Sequence, residues 1–327
     1  MIELNNSFEF SPIVIHTYTR LEHLKKTIDA LLKNDLACST DLFIASDAPK
    51  DQKDEINVLL VRKYIKSISG FKSVNIILRD QNLGLHKNAF LAFEDVFKRT
   101  DRLISIEDDT IVGRGFLKFM NEGLSLYRGD QNVFAICGYL HKSAVVKSSS
   151  NAVLLTGFSA WGCGVWRDKF YDVSTRRDLA LEFLRSPKLF LKLSLNRPDL
   201  ILGVWGIAKH NIVAADLSFL LHMIKGDKKC LFPTKSLVRN IGNDGTGANC
   251  IADPSYGTQC YGENEIFSIG KNKEAHFYSG NPFFLALGGW KVLAADLFKF
   301  ILLVIFGERF YRIFTNFKSS IKQKLFN

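Results

Sequence analysis

The chain has 327 residues, of which 47% are hydrophobic and 23% charged, and it carries a net charge of +10. That length buries a full core without a disulfide framework, and the balance is that of an ordinary globular protein. Six scattered cysteines with no CxxC pair, and seven histidines without ligand spacing, point away from a zinc site and toward thiols in a reducing cytoplasm. The opening residues Met1 to Asn6 have neither a basic start nor an apolar stretch, so no signal peptide is expected. The positive balance favours an anionic partner, whether nucleic acid, a phosphate-bearing ligand or acidic lipid.

The first half alternates short apolar runs with helical periods. Ile13-Val14-Ile15 reads as a buried strand, and Leu21, Leu24, Ile28, Leu31 and Leu32 then recur at helical spacing. Leu42 to Ala45 is a second strand, with Ile56, Leu59, Leu60 and Tyr64 marking the helix after it. Val74 to Leu78 is a third strand, Asn88 to Phe97 a third helix, and Leu103 to Ile106 a fourth strand ending in acid. Repeated strand–helix units predict an α/β fold with a mostly parallel central sheet and helices on both faces. Ligands of such sheets bind beyond the carboxyl ends of the strands, so the polar residues just after each apolar run are the candidates. The second half is less regular: Val133 to Cys137 reads as a strand, 147–151 as a polar loop, 178–195 as helical and 240–262 as a long loop.

Glu107-Asp108-Asp109 stands directly after the fourth strand. Three adjacent acids repel, and a hard cation such as Mg²⁺ or Mn²⁺ would relieve that cost and could bind a diphosphate. A solvated acidic turn is the alternative. Asp47 follows the second strand, where it could accept from a base N–H or could be a turn residue before Pro49. Arg20, after the first strand, could lie beside the same nucleotide or on the surface of a first helical turn. Gln81-Asn82-Leu83-Gly84 is a tight turn into the third helix, setting His86 and Lys87 near a helix N-terminus where anions bind. Trp161 and Gly162 could shape a sugar pocket or belong to the core. Asp216 leads an amphipathic stretch and could be a helix cap or a general base.

The order of these pieces resembles the inverting glycosyltransferases of the GT-A fold, namely the large family 2 and the N-acetylglucosaminyltransferase I type, over roughly residues 11 to 250. The resemblance is carried by Thr17-Tyr18-Thr19-Arg20, Ser46-Asp47, Gln81-Asn82-Leu83-Gly84 and Glu107-Asp108-Asp109 in the place of a DxD motif. Trp161-Gly162-Cys163-Gly164-Val165-Trp166-Arg167, Asp216, Phe232-Pro233 and Ser236-Leu237-Val238-Arg239-Asn240-Ile241-Gly242 complete it. It implies that Asp47 binds a uracil ring, Glu107 and Asp108 contact the ribose, and Asp109 holds Mn²⁺ or Mg²⁺ against the diphosphate. It further implies that Asp216 is the catalytic base, that Arg20, Asn82, His86 and Lys87 line the donor site, and that Trp161 and Gly162 shape the sugar pocket. The loop from Asn240 to Gly247 would close over the site, and many relatives have a histidine near its end where this chain has Asn249. The implied reaction is a single displacement from a UDP-sugar to a glycan or lipid-linked acceptor, in surface polysaccharide or lipopolysaccharide synthesis.

The expected organisation is a catalytic domain over 1–290, divided at 110 into nucleotide and acceptor halves, followed by a tail over 291–327. From Lys299 to Lys324 six basic residues (Lys299, Arg309, Arg312, Lys318, Lys322, Lys324) face one acid, Glu308. The apolar run Phe300 to Phe306 is too short to span a bilayer. Phe310, Phe314, Phe317 and Ile321 recur at helical spacing with basic residues between them, as in a helix lying on an anionic membrane. A peripheral place at the inner face of the cell membrane follows. A sugar nucleotidyltransferase would need a glycine-rich basic loop early in the chain, which is absent. A nucleic-acid binder would need basic and aromatic residues interleaved on a known module, and none is present. A non-catalytic membrane-associated scaffold remains the other alternative.

Overall fold

The computed structural model describes residues 10–173, 176–210, 215–247 and 252–325, without the side chains of 176, 215–216, 275 and 310–325. Packing divides the chain into two compact units: residues 1–173 with 226–280, and residues 174–225 with 281–327. The division follows spatial contacts rather than chain order, and the boundary expected at 290 falls inside the second unit.

The first unit begins with strand β1 (Ile13–Thr17), helix α1 (Leu21–Leu32), β2 (Asp41–Ser46), α2 (Gln52–Ile65), β3 (Ser73–Leu78) and α3 (Leu85–Phe97). It continues through β4 (Arg102–Glu107), β5 (Thr110–Val112), α4 (Phe116–Leu126), β6 (Val133–Cys137), β7 (Ala152–Leu155), β8 (Cys163–Trp166), β9 (Lys229–Pro233) and β10 (Val238–Asn240). Eight strands form one sheet in the order β3-β2-β1-β4-β8-β6-β9-β7, and β10 pairs with β5 in a small antiparallel ribbon. β3, β2, β1 and β4 are mutually parallel, β8 runs against its neighbours β4 and β6, β9 is parallel to β6, and β7 is antiparallel to β9. The α/β architecture with a mostly parallel sheet is therefore as expected.

The chain steps from β1 to β2 to β3 in one direction and from β3 past β1 to β4 in the other. Right-handed crossovers then set α1 and α2 on one face of the sheet and α3 on the other. All five residues of β1 are buried, which is why it reads as a continuous apolar run rather than an alternation. Leu24, Ile28 and Leu31 bury the inner face of α1 as their spacing predicts. α2 is the helix that Ile56, Leu59, Leu60 and Tyr64 marked, but those residues do not define its buried face. Val58, Val61 and Ile65 are its buried residues, while Ile56, Leu59 and Leu60 are exposed. The two sets interleave at helical spacing, so periodicity alone could not choose between them.

β5 and β10 gave no sequence signal, because three residues are too few to display a period. The segment Cys163–Trp166 is a strand with Trp166 in the core, and the indole N–H of Trp166 donates to the Leu124 carbonyl.

The second unit is helical among its described residues: α5 (Arg176–Arg185), α6 (Pro187–Asn196), α7 (Ile201–His210), α8 (Ala215–Lys225), a short turn Pro282–Ala286 and α9 (Gly289–Leu325). The helix expected over 178–195 is split into α5 and α6 at Pro187, where Ser186 caps the new helix by accepting from the Leu189 N–H. No helix among the described residues is long and apolar enough to cross a membrane.

Candidate functional site

Thr17, the last residue of β1, joins the ends of three strands. Its carbonyl accepts the Asp47 N–H beyond β2, and its hydroxyl donates to Asp108 Oδ2 beyond β4 at 2.7 Å. Thr27 of α1 donates to the Asp108 carbonyl. The turn Asp108–Asp109 is thus built against the middle of α1, at the carboxyl ends of parallel strands where ligands of such sheets bind.

Arg20, in the loop from β1 to α1, organises the acids. One terminal nitrogen donates to Asp109 Oδ2 at 2.7 Å. The other donates to Asp244 Oδ1, the Gly242 carbonyl and Thr246 Oγ, each at 3.1 Å, and lies 3.0 Å from His23 Nε2. His23 Nε2 is also 3.0 Å from Asp244 Oδ2. The Arg20 Nε–H is buried and has no partner.

Asn240, at the end of β10, donates from its amide to Asp109 Oδ1 at 3.0 Å, while its own carbonyl oxygen accepts the Gly242 N–H. Gly242 is required here. A Cβ at that position would lie 1.8 Å from Asp109 Oδ2 and 2.9 Å from Arg20 Nη1. The described part of the loop 240–247 therefore clasps the acidic turn.

Burial raises the Asp108 carboxyl to about 6, with the Asp109 charge adding to the shift and Thr17 and Arg20 opposing it. Burial also raises Asp109, against the pull of Arg20. Asp244 is held down at about 2, chiefly by the Thr246 hydroxyl and N–H. Glu107 sits opposite His16 in the β1–β4 register. Burial, with the His86 charge adding to it, lowers His16 to about 4.

Asp47 stands where expected but does something else. Its buried carboxylate accepts from the Ala48, Leu83 and Gly84 N–H groups at 2.8 to 3.2 Å, so its acceptor positions are filled by the chain itself. Asn82 closes the same contact by donating to the Ala48 carbonyl at 2.7 Å. The two residues pin the turn before α3. That turn ends in Gly84 at φ 74°, and no side chain caps the helix it starts. Lys87 is exposed and borders a shallow hollow beside Leu78 and Gln81 at the sheet edge, with no described contact to the acids.

Trp161 belongs to an aromatic group in which its ring meets Tyr139 at 4.7 Å and Tyr256 at 5.5 Å, both edge-on. The Lys142 ammonium lies 3.9 Å from the Tyr256 ring centre. Gly162 is left-handed at φ 70°, and a Cβ there would press on Phe116 and Val238 at 2.9 and 3.0 Å. The short helix Pro254–Gly257, which carries Tyr256, packs on β10, and β10 pairs with the strand that follows Asp109. Asp216 falls in α8, but its side chain lies outside the described residues, as do those of Phe310, Phe314, Phe317 and Ile321; Asn249 lies outside them altogether.

Oxygen donors such as these suit Mg²⁺ or Mn²⁺ in kind. In this arrangement they do not fit a bound cation, because both Asp109 oxygens face N–H donors and no three His, Cys, Asp or Glu among the described residues converge. The positive charge at Asp109 is Arg20. His23 and Thr27 are site residues that sequence reasoning missed, while Thr17 entered only as part of the Thr17–Arg20 motif and Asp244 and Thr246 only as part of the loop 240–247. Only the acid and hydroxyl within Asn243-Asp244-Gly245-Thr246 offered a signal.

No protein-family model matches the chain. No curated protein matches it in sequence. Among solved structures it is similar to S. aureus TarS, with 13% identity and a TM-score of 0.32 over 46% of this chain and 25% of that one. The structure of TarS residues 1–349 gives 12% identity and a TM-score of 0.38 over 66% of this chain and 87% of that one. GalNAc-T7, solved with UDP, GalNAc and Mn²⁺, gives 13% identity and a TM-score of 0.41 over 70% and 43%. The chain thus spans a quarter of TarS and under half of GalNAc-T7.

Proposed function

We propose that the protein is a glycosyltransferase of the GT-A type that binds a nucleoside diphosphate sugar at the carboxyl ends of β1, β2 and β4 and transfers the sugar to a hydroxyl acceptor. The observation that carries this reading is Arg20. Its guanidinium is fixed between Asp109 and Asp244, and its buried Nε–H lacks an acceptor. A buried donor on a permanent cation is a place for an anionic oxygen.

The N-terminus of α3, which no side chain caps and where His86 stands in the first turn, is a second place suited to an anionic group of the donor. Asp47 and Asn82 hold that turn in place. A uridine base and contacts from Glu107 and Asp108 to the ribose are part of the proposal and rest on the resemblance in sequence. The Tyr139–Trp161–Tyr256 group offers ring faces and edges suited to the apolar C–H surface of a sugar.

In the chemical step the acceptor hydroxyl attacks the anomeric carbon, a general base takes its proton, the role that the resemblance in sequence gives to Asp216, and the bond to the diphosphate breaks with inversion. Arg20 stabilises the charge that grows on the leaving group. A glycan or lipid-linked saccharide in surface polysaccharide or lipopolysaccharide synthesis is the acceptor class in this reading, with the enzyme at the inner face of the cell membrane.

Calorimetric titration with UDP and GDP, with and without Mn²⁺, tests the donor site. Saturable binding of one nucleotide that weakens about tenfold or more in Arg20→Gln, a change of about 1.4 kcal/mol, is expected. Absence of binding by either nucleotide, with or without the metal, would end the reading.

A further inference from the structure

Among its described residues α9 carries apolar side chains on two sides. Leu293, Asp296 and Leu303 form the buried side, at 8%, 7% and 5% exposure. Trp290, Ala294, Phe298, Ile301 and Ile305 follow one another at steps of four, four, three and four residues, which places them on a single helix face. Along it Trp290 is 67% exposed, Phe298 54%, Ile301 50% and Ile305 66%, with Val304 beside them at 61%. The stripe extends about 22 Å at ~1.5 Å per residue. It ends before Gly307, where φ 76° and ψ 173° interrupt the helix.

The stripe cannot cross a bilayer, since a span needs about 20 apolar residues and no described helix qualifies. It can lie in the plane of an interface, with the Asp296–Lys299 pair turned away from it. Trp290 begins the stripe, its ring held edge-on by Phe284 at 5.2 Å. An indole at the end of an apolar stripe suits the headgroup layer. Lys291, exposed, borders the same face about 100° round the helix from Trp290. Beyond the break the sequence adds Arg309, Arg312, Lys318, Lys322 and Lys324 against Glu308. Lys291 and Arg309, both exposed, complement anionic lipid. They oppose a second copy of this chain, which would bring the same charges and another +10 overall.

We propose that this outer face of α9 docks the protein on an anionic bilayer surface, with Trp290, Ile301 and Ile305 inserted at the level of the headgroups and Lys291 and Arg309 against the lipid phosphates. The proposal stands independently of the donor site. The test is flotation of the full chain with vesicles of phosphatidylcholine alone or of phosphatidylcholine with phosphatidylglycerol, comparing the wild type with the Ile301→Ser/Ile305→Ser double variant. Both positions are exposed, so the fold should persist, and a thermal melt by circular dichroism checks it. The wild type is expected to float with the anionic vesicles only, the double variant to lose at least about tenfold in partition, and Trp290→Phe to remove a blue shift of tryptophan emission on vesicle addition. A wild type that ignores both vesicles overturns the proposal, and so does a double variant that floats like the wild type. A concentration-dependent dimer in sedimentation that the double variant abolishes assigns the face to a second copy instead, which equally overturns it.

Discussion

Arg20 and Asp109, 89 positions apart in sequence, meet through a bond of 2.7 Å from the guanidinium to Oδ2. Asp109 is mostly buried, and the Asn240 amide takes its other oxygen. The carboxylate that the sequence offers to a divalent cation is therefore already neutralised by the chain. Cation and guanidinium cannot share that oxygen edge, so they must compete for it.

Competition of this kind has a measurable sign. Mn²⁺ added to the nucleotide-free wild type is expected to bind weakly, while Arg20→Gln removes the competing charge and should raise Mn²⁺ affinity by about tenfold or more, equivalent to about 1.4 kcal/mol. Asp109→Asn should abolish the gain when combined with Arg20→Gln. Electron paramagnetic resonance of free Mn²⁺ reads the binding directly. Equal affinity in the wild type and Arg20→Gln would show that Asp109 is not where the metal goes.

Gly242 tests the same contact by crowding it. A methyl group there would stand 1.8 Å from Asp109 Oδ2, so either the carboxylate or the loop 240–247 must move. Gly242→Ala is expected to destabilise the fold by about 1–3 kcal/mol, the range for overpacked sites. It should also weaken nucleotide binding by displacing Arg20. A variant with an unchanged denaturation midpoint and unchanged UDP affinity would mean that the loop does not clasp the acids in solution.

Sequence periodicity located β1, β2, β3, β4 and the helices between them because each buried run is long enough to display its pattern. Ile13-Val14-Ile15 and the Leu24, Ile28, Leu31 face are examples. It located α2 through Ile56, Leu59, Leu60 and Tyr64 without telling which side is buried, and in the structure Val58, Val61 and Ile65 are the buried residues. The acidic turn was legible from three adjacent carboxylates after an apolar run. The individual contacts of Thr17, His23 and Asp244 were not, since a single hydroxyl, histidine or aspartate acquires meaning only from the partner that folding brings to it, as Asp244 is brought to Arg20 across more than two hundred positions. Asp47 was found by position, but its task was open to two readings that only the turn 82–84 could separate.

Asp47→Ala should therefore act on stability before it acts on binding. The substitution leaves the Leu83 and Gly84 N–H groups without acceptors in a partly buried turn. Each such loss costs about 1–3 kcal/mol. Urea denaturation is expected to shift to a lower midpoint with unchanged slope. A carboxylate used only to read a base N–H would leave the midpoint where it was and change UDP affinity alone.

Asp108 supplies a prediction in which the sign depends on pH. Its folded carboxyl titrates near 6, above the ordinary value of 3.8, so the unfolded chain gives up this proton first as pH rises. A raised carboxyl contributes its stability fully below about pH 4 and loses it as pH climbs through about 6. A shift of about two units corresponds to roughly 3 kcal/mol against folding at neutral pH. Asp108→Asn keeps an oxygen for the Thr17 hydroxyl and carries no charge. It is expected to be more stable than the wild type at pH 7, and to lose that advantage at pH 4. Denaturation at the two pH values decides it: an equal change at both would mean that Asp108 ionises freely in the folded protein. If the advantage at pH 7 is found, a buried acid is being kept at a cost to folding, as acids at binding and catalytic sites commonly are. The same variant should then bind nucleotide less well than the wild type.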